Sequence, residues 1–128
     1  MFRILKEYAG IKPILGICLG LQAIALYYGG ELFNLSRVVH GQPRDVKIIS
    51  PYHYIFRDMP HVFRAGLYHS WAVAEDSFPS SLKITARSGE GIIMGLAHKE
   101  HDVCGLQFHP ESVITESGQK MMDNWIEC

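Results

Sequence analysis

Pro13-Ile14-Leu15-Gly16-Ile17-Cys18-Leu19-Gly20-Leu21-Gln22 carries two different periodicities on either side of one cysteine. The short apolar run from Pro13 to Ile17, bounded by turn residues, reads as a strand buried on both faces. From Leu19 to Tyr28 the Leu, Gln, Ala and Tyr content favours helix, and Gly29-Gly30 stops it. Cys18 therefore falls where a strand turns sharply into a helix, between Gly16 and Gly20. That is the arrangement of a nucleophile elbow with Cys in place of Ser. Such a turn forces its central residue into a strained backbone conformation, and the two glycines remove side chains that would collide around it. The thiol would sit at a helix N-terminus, where the dipole favours the thiolate. The Leu19 N–H is unpaired in the first turn and can face a developing oxyanion. The plain alternative is a buried core cysteine in a glycine-bounded strand.

Upstream, Phe2, Leu5 and Tyr8 stand at helical spacing and Gly10 closes the turn. This reads as the tail of an amphipathic helix without a convincing N-cap, so a further upstream part is expected. Downstream the pattern is mostly β. Val46 to Ile49 reads as a strand and Pro51 to Pro60 as a loop. Val62–Tyr68 and Trp71–Ala74 read as strands around a turn at His69-Ser70. Leu82–Arg87 ends at the turn signal Ser88-Gly89-Glu90-Gly91. Ile92–His98 and Val103–Phe108 follow as paired strands. Met121, Met122, Trp125 and Ile126 put the apolar face of a helix over 117–127. This order suggests an α/β sheet with an antiparallel extension.

Gln107-Phe108-His109-Pro110-Glu111-Ser112 supplies partners for the thiol. Side chains two apart in an extended chain point the same way, and Pro110 blocks helical hydrogen bonding there. His109 and Glu111 can then face one site, His109 as base and Glu111 as the carboxylate that fixes its tautomer. Taken singly, each also reads as an ordinary surface residue.

Composition narrows the classes. The chain has 128 residues, with 12 Lys and Arg against 13 Asp and Glu, a net charge of −1. Near-neutrality argues against a nucleic-acid-binding surface or a polybasic membrane patch. A hydrophobic fraction of 48% with 20% charged residues is that of a chain able to build a core. No apolar run is long enough to span a bilayer, and the N-terminus lacks a signal-peptide core. Cys18, Cys104 and Cys128 form no CxxC pair or disulfide framework, which places the protein in a reducing compartment, the cytoplasm.

Gly16–Gln22 and Phe108–Ser112 resemble the two catalytic signatures of class I (triad-type) glutamine amidotransferase domains. Val39-His40-Gly41, Tyr68-His69-Ser70-Trp71, Met94–Lys99 and the run from His109 to Gly118 are similar to the glutaminase subunit of anthranilate and aminodeoxychorismate synthases. The resemblance implies a flavodoxin-like α/β domain, with a mostly parallel sheet and an antiparallel extension. Residues 1–128 would be its C-terminal two thirds, lacking the first βα units and a Gly-Pro-Gly loop that supplies a second oxyanion donor. It implies hydrolysis of L-glutamine through Cys18, His109 and Glu111, with Leu19, Gln22, Ser70 and Trp71 holding the substrate. Ammonia would pass to a chorismate-binding synthase subunit in a heterodimer or heterotetramer, and no cofactor would be needed. This stretch alone would be weak or inactive. Alternatives are a non-catalytic synthase-binding module, another class I amidotransferase, or a γ-glutamyl hydrolase.

Other residues have plainer readings. The seven histidines show no paired metal-ligand spacing, so no metal site is expected. Cys104 reads as core and Cys128 as exposed. Tyr52, His53, Tyr54 and Phe56 read as loop residues covering the core, with a partner-facing aromatic patch as the alternative.

Overall fold

A computed structural model describes residues 2–49, 51–112 and 115–127, with the backbone alone for 36–42 and 69. The elements in chain order are α1 (Phe2–Tyr8), β1 (Ile14–Ile17), α2 (Leu19–Tyr27), β2 (Leu32–Ile48), a 3-10 turn (Tyr54–Phe56), β3 (Val62–Val73), β4 (Leu82–Ser88), β5 (Ile93–His98), β6 (Val103–Leu106) and α3 (Gly118–Glu127). The side chains of Val39, His40 and His69, together with Val113, Ile114 and Cys128, lie outside the described set.

The six strands form one sheet in the order β1-β6-β5-β4-β2-β3. β1 runs parallel to β6, from Ile14 opposite Val103 to Ile17 opposite Leu106. The other pairings, β6 with β5, β5 with β4, β4 with β2 and β2 with β3, are antiparallel. The sheet is thus mixed. The antiparallel share is larger, and the parallel share smaller, than the sequence reading expects.

Two apolar clusters cover the two faces, and alternate strand residues feed them. Ile93, Leu96 and Val103 join Leu5, Leu21 and Ile24 of α1 and α2. Met94, Ala97 and Cys104 join Ile55, Phe56, Phe63, Phe108 and Met121 on the side of the 3-10 turn and α3. Covered on both sides, β5 and β6 read as continuous apolar runs rather than alternating ones. α2 approaches β6 so closely that a Cβ on Gly105 would lie 3.0 Å from the Leu21 Cα. β1 is half-buried rather than enclosed, because it is an edge strand with β6 as its neighbour.

Several sequence expectations need correction. β2 extends over 32–45 as well as 46–48. Its first part mixes Asn34, Ser36, Arg37, Pro43 and Asp45, and register shifts fall between Asn34 and Val39 and between His40 and Gln42, so no period-two signal survives. β4 pairs β2 only over Val46–Ile48, so Pro43 has a flank where its missing N–H costs no ladder bond. There is no turn at His69-Ser70, because β3 continues through it with His69 opposite Val39. β6 ends at Leu106, earlier than Phe108. In α1 only Leu5 is buried, while Phe2 sets its ring edge-on to Tyr27. In α3 Met121 is buried and Ile126 faces solvent.

The loop at 51–60 covers the core, as expected, with Ile55 and Phe56 fully enclosed. Asn124 of α3, wholly buried, donates from Nδ2 to the Ile55 and Arg57 carbonyls at 2.9 Å each, clamping the 3-10 turn. Cys104 is buried, and burial pushes its thiol up to about 12.

His53 caps the 3-10 turn. Its Nδ1 accepts from the Ile55 N–H at 3.2 Å, a role open to that nitrogen only while it carries no proton. Burial foremost, then the Lys83 charge, push His53 down to about 4, against an opposing pull from Asp102. Between pH 6.5 and about 4 the unfolded chain therefore binds a proton that the folded one refuses, and stability falls as pH falls through that window. His53→Asn keeps a short acceptor and removes the titration. Its urea midpoint should drop less than the parent's between pH 7 and pH 4.5. Equal drops would refute this account.

Candidate active site

Cys18 follows the last residue of β1 and precedes the first of α2, at φ 55° and ψ −102°. A positive φ is costly for a residue with a Cβ, of order 1–3 kcal/mol, so the surrounding structure must impose it. The Cys18 N–H donates to the Leu106 carbonyl at 2.7 Å, anchoring the elbow to the end of β6. A Cβ on Gly16 would lie 2.6 Å from the Gly20 backbone and 2.8 Å from Ile24 Cδ1, so glycine at 16 is a steric requirement of the turn.

The strand end of β6 delivers the second group. Gln107 N–H donates to the Met94 carbonyl at 2.8 Å, and His109 N–H to the Gly66 carbonyl at 3.3 Å, so the chain is held on both sides of the bend at Gln107-Phe108. The His109 carbonyl accepts from the Thr115 hydroxyl at 2.7 Å and from the Ser112 N–H at 3.1 Å. Thr115 Oγ1 in turn accepts from the Gly66 N–H at 2.9 Å. The His109 backbone is held from three directions.

His109 Nδ1 and Glu111 Oε2 lie 2.8 Å apart across a turn at Pro110-Glu111 that the Ser112 N–H closes on the His109 carbonyl, and not along an extended chain as the sequence reading expects. Partial burial works to raise the Glu111 carboxyl, but the His109 hydrogen bond, a backbone N–H and the imidazole charge hold it below its ordinary value. An ionised carboxylate only accepts, so Nδ1 is the donor of this pair, and in the neutral imidazole Nε2 is then the nitrogen whose lone pair can act as a base.

Tyr68 of β3 stands between nucleophile and base. Its carbonyl accepts from Cys18 Sγ at 3.6 Å, and its ring meets the His109 imidazole edge-on at 5.3 Å. Gln107 Nε2 donates to Sγ, also at 3.6 Å. Among the described residues the sulfur is hydrogen-bonded to Tyr68 and Gln107 and not to His109. Burial foremost raises the Cys18 thiol, the Glu111 charge adds to this, and hydrogen bonds from the Leu19 N–H and Gln107 oppose it. Burial thus works against the thiolate that a helix N-terminus favours.

The structure brings Cys18, Gln22, Trp71, His109 and Glu111 toward one place. Gln22, 6% exposed, donates from Nε2 to the Trp71 carbonyl at 3.0 Å. Leu19 turns its side chain outward at 75% exposure, while its N–H faces the sulfur. Ser70 lies half-buried on β3. A cavity of about 420 Å³ opens beside Tyr68, His109, Glu111 and Ser112. Sequence reading assigned no role to Tyr68 or Gln107. The one signal for Gln107 is its place two residues before His109.

The family model for glutamine amidotransferase class-I matches residues 1–128. The chain belongs to this family. Over 126 residues it is 44% identical to a candidate anthranilate synthase component II of Haemophilus influenzae, covering 98% of this chain and 65% of that protein. It is 38% identical over 123 residues to the aminodeoxychorismate/anthranilate synthase component 2 of Bacillus subtilis, covering 96% of this chain and 62% of that one. The crystal structure of a candidate GMP synthase subunit from Thermoplasma acidophilum superposes with a TM-score of 0.88 at 26% identity, over 98% of this chain and 60% of that one. The chain thus spans somewhat less than two thirds of the length of these relatives. Among the described residues no helix is long and apolar enough to cross a membrane.

Proposed function

We propose that this amidotransferase chain carries the hydrolytic centre of a glutaminase that releases ammonia from L-glutamine for a chorismate-binding synthase subunit. The observation that carries the reading is the strained Cys18 elbow beside a His109 oriented at 2.8 Å by Glu111. The Cys18 S–H gives its proton to His109 Nε2 as Sγ bonds to the side-chain amide carbon of glutamine. The Leu19 N–H stabilises the oxyanion. The C–N bond then breaks, the proton passes from His109 to nitrogen, and ammonia leaves a γ-glutamyl thioester. Water, deprotonated by His109, adds to the thioester. The C–S bond breaks, the thiol regains its proton and glutamate departs.

Glu111 positions His109 throughout, Gln22 lies beside the bound glutamine, and the Ser70-Trp71 backbone holds the α-amino and carboxylate end of the substrate. Residues 1–128 form the C-terminal two thirds of the amidotransferase domain. Among the described residues the Leu19 N–H is the oxyanion donor, and removing one such donor commonly costs about 10²–10³ in turnover. Similarity to component II proteins supports a synthase partner subunit, and the proposal includes a heterodimer or heterotetramer working in the cytoplasm.

The test is labelling with a glutamine-mimicking electrophile, followed by peptide mapping and an ammonia assay, with Cys18→Ala as control. Modification confined to Cys18 and suppressed by glutamine supports the reading. Labelling indifferent to glutamine would overturn it, and retained synthase binding in that case would indicate a non-catalytic module.

A further inference from the structure

Two buried glutamines behind the elbow form a circuit that the triad does not require. Gln22 Nε2 donates to the Trp71 carbonyl at 3.0 Å and to Gln107 Oε1 at 3.3 Å. Gln107 Nε2 donates to Cys18 Sγ at 3.6 Å, and Sγ donates to the Tyr68 carbonyl at 3.6 Å. Tyr68 and Trp71 lie on the same strand, so the circuit closes through β3. Gln107 is wholly buried and Gln22 nearly so, which leaves neither amide a compensating water-exposed orientation.

The polarity of this circuit follows from one group that cannot turn round. The Trp71 carbonyl only accepts, so Gln22 must present its NH₂ to it. The same NH₂ must then meet an acceptor on Gln107, which turns the Gln107 oxygen toward Gln22 and the Gln107 NH₂ toward the sulfur. A free glutamine could present either end, but here the β3 backbone dictates a donor.

We propose that Gln107 is a positioning residue of the amide-cleaving centre, holding the Cys18 sulfur by a donor whose direction is set through Gln22 by the Trp71 carbonyl. This deepens the glutaminase reading and rests on it for its purpose, though not for its geometry. A donor aimed at sulfur favours the thiolate when the proton leaves for His109, and it remains in place after the S–H bond to Tyr68 is lost. It also couples the nucleophile to the strand assigned to hold the substrate.

The test is the pH dependence of Cys18 alkylation by iodoacetamide, followed by mass spectrometry of the Cys18 peptide. It needs no glutamine, so its outcome is independent of whether the chain proves to be a glutaminase. Among the described residues, Glu111 and His109 beyond β6 and Tyr68 on β3 are the titratable groups around the sulfur, and the comparison leaves all three in place. Gln107→Glu replaces the donor by a carboxylate and should move the titration midpoint up by at least one pH unit. Its alkylation at pH 7.5 should slow about tenfold or more. Gln107→Met, close in volume, should shift the midpoint the same way by less. Gln22→Met should shift it least, because Gln107 stays but loses what orients it. Gln107→Asn, which keeps an amide with a shorter reach, replaces any variant that loses its cooperative melt. Midpoints equal to the parent's in the folded Gln107 variants would overturn the proposal, since a merely structural role predicts lower stability with an unmoved midpoint.

Discussion

Cys18→Gly should be more stable than Cys18→Ala by about 1–2 kcal/mol, the reverse of the usual order for these two residues. Both variants lose the same sulfur, the same hydrogen bonds to Tyr68 and Gln107, and much the same buried surface. They differ in the backbone. At φ 55° and ψ −102° alanine keeps the strain that cysteine bears, whereas glycine adopts that conformation without a Cβ penalty. The relief, about 1–3 kcal/mol, outweighs the extra unfolded-state entropy of glycine, about 0.5–1 kcal/mol. Thermal or urea melts of the pair decide it, and Ala equal to or above Gly would refute the claim that the elbow is strained. In the chemistry the two should be alike. Removing a nucleophile that acts as part of a triad costs at least about 10⁴-fold in turnover, so ammonia release should fall to background in both.

Gly118→Ala should cripple the site from behind. A Cβ at 118 would lie 1.8 Å from the Pro110 carbonyl oxygen and 2.8 Å from its carbon. These are backbone atoms, so no side-chain rotation relieves the clash. Either α3 retreats from the sheet or Pro110 moves, carrying His109 and Glu111 on its two sides. Overpacking of this kind costs about 1–3 kcal/mol, and displacing a reacting group by about 1 Å can cost roughly 10²-fold in rate. The variant should lose melting temperature together with glutamine-protected labelling of Cys18. Unchanged stability and labelling would show that α3 can shift freely and that Gly118 does not support the triad.

The elbow and the His109–Glu111 pair were readable from short-range chemistry. Glycines flanking a cysteine and a proline between histidine and glutamate constrain the backbone within a few residues of themselves. Cys104 in the core and the helical face at Met121 were readable for the same reason. The first half of β2 was not. Its pairing depends on β3, it carries register shifts, and the polar residues it exposes erase alternation. The supposed turn at His69-Ser70 failed likewise, since polar residues there suggest a break while the partner strand continues the ladder. Gln107 and Tyr68 went unassigned because their roles depend on which atoms lie across the fold. The burial that raises the Cys18 thiol depends on the whole fold and could not be read from the elbow alone.

β1 and β6 are adjacent parallel strands, yet the sulfur and the amide that braces it are 89 positions apart in the chain. Contacts this remote are paid for late, after the intervening hairpins have shortened the loop to be closed. A polypeptide still emerging from the ribosome, or one that has condensed only its central strands, holds an isolated cysteine and an isolated imidazole. The sulfur and the amide that braces it therefore meet only through this long-range docking, and a copy in which β1 has not reached β6 has no assembled centre.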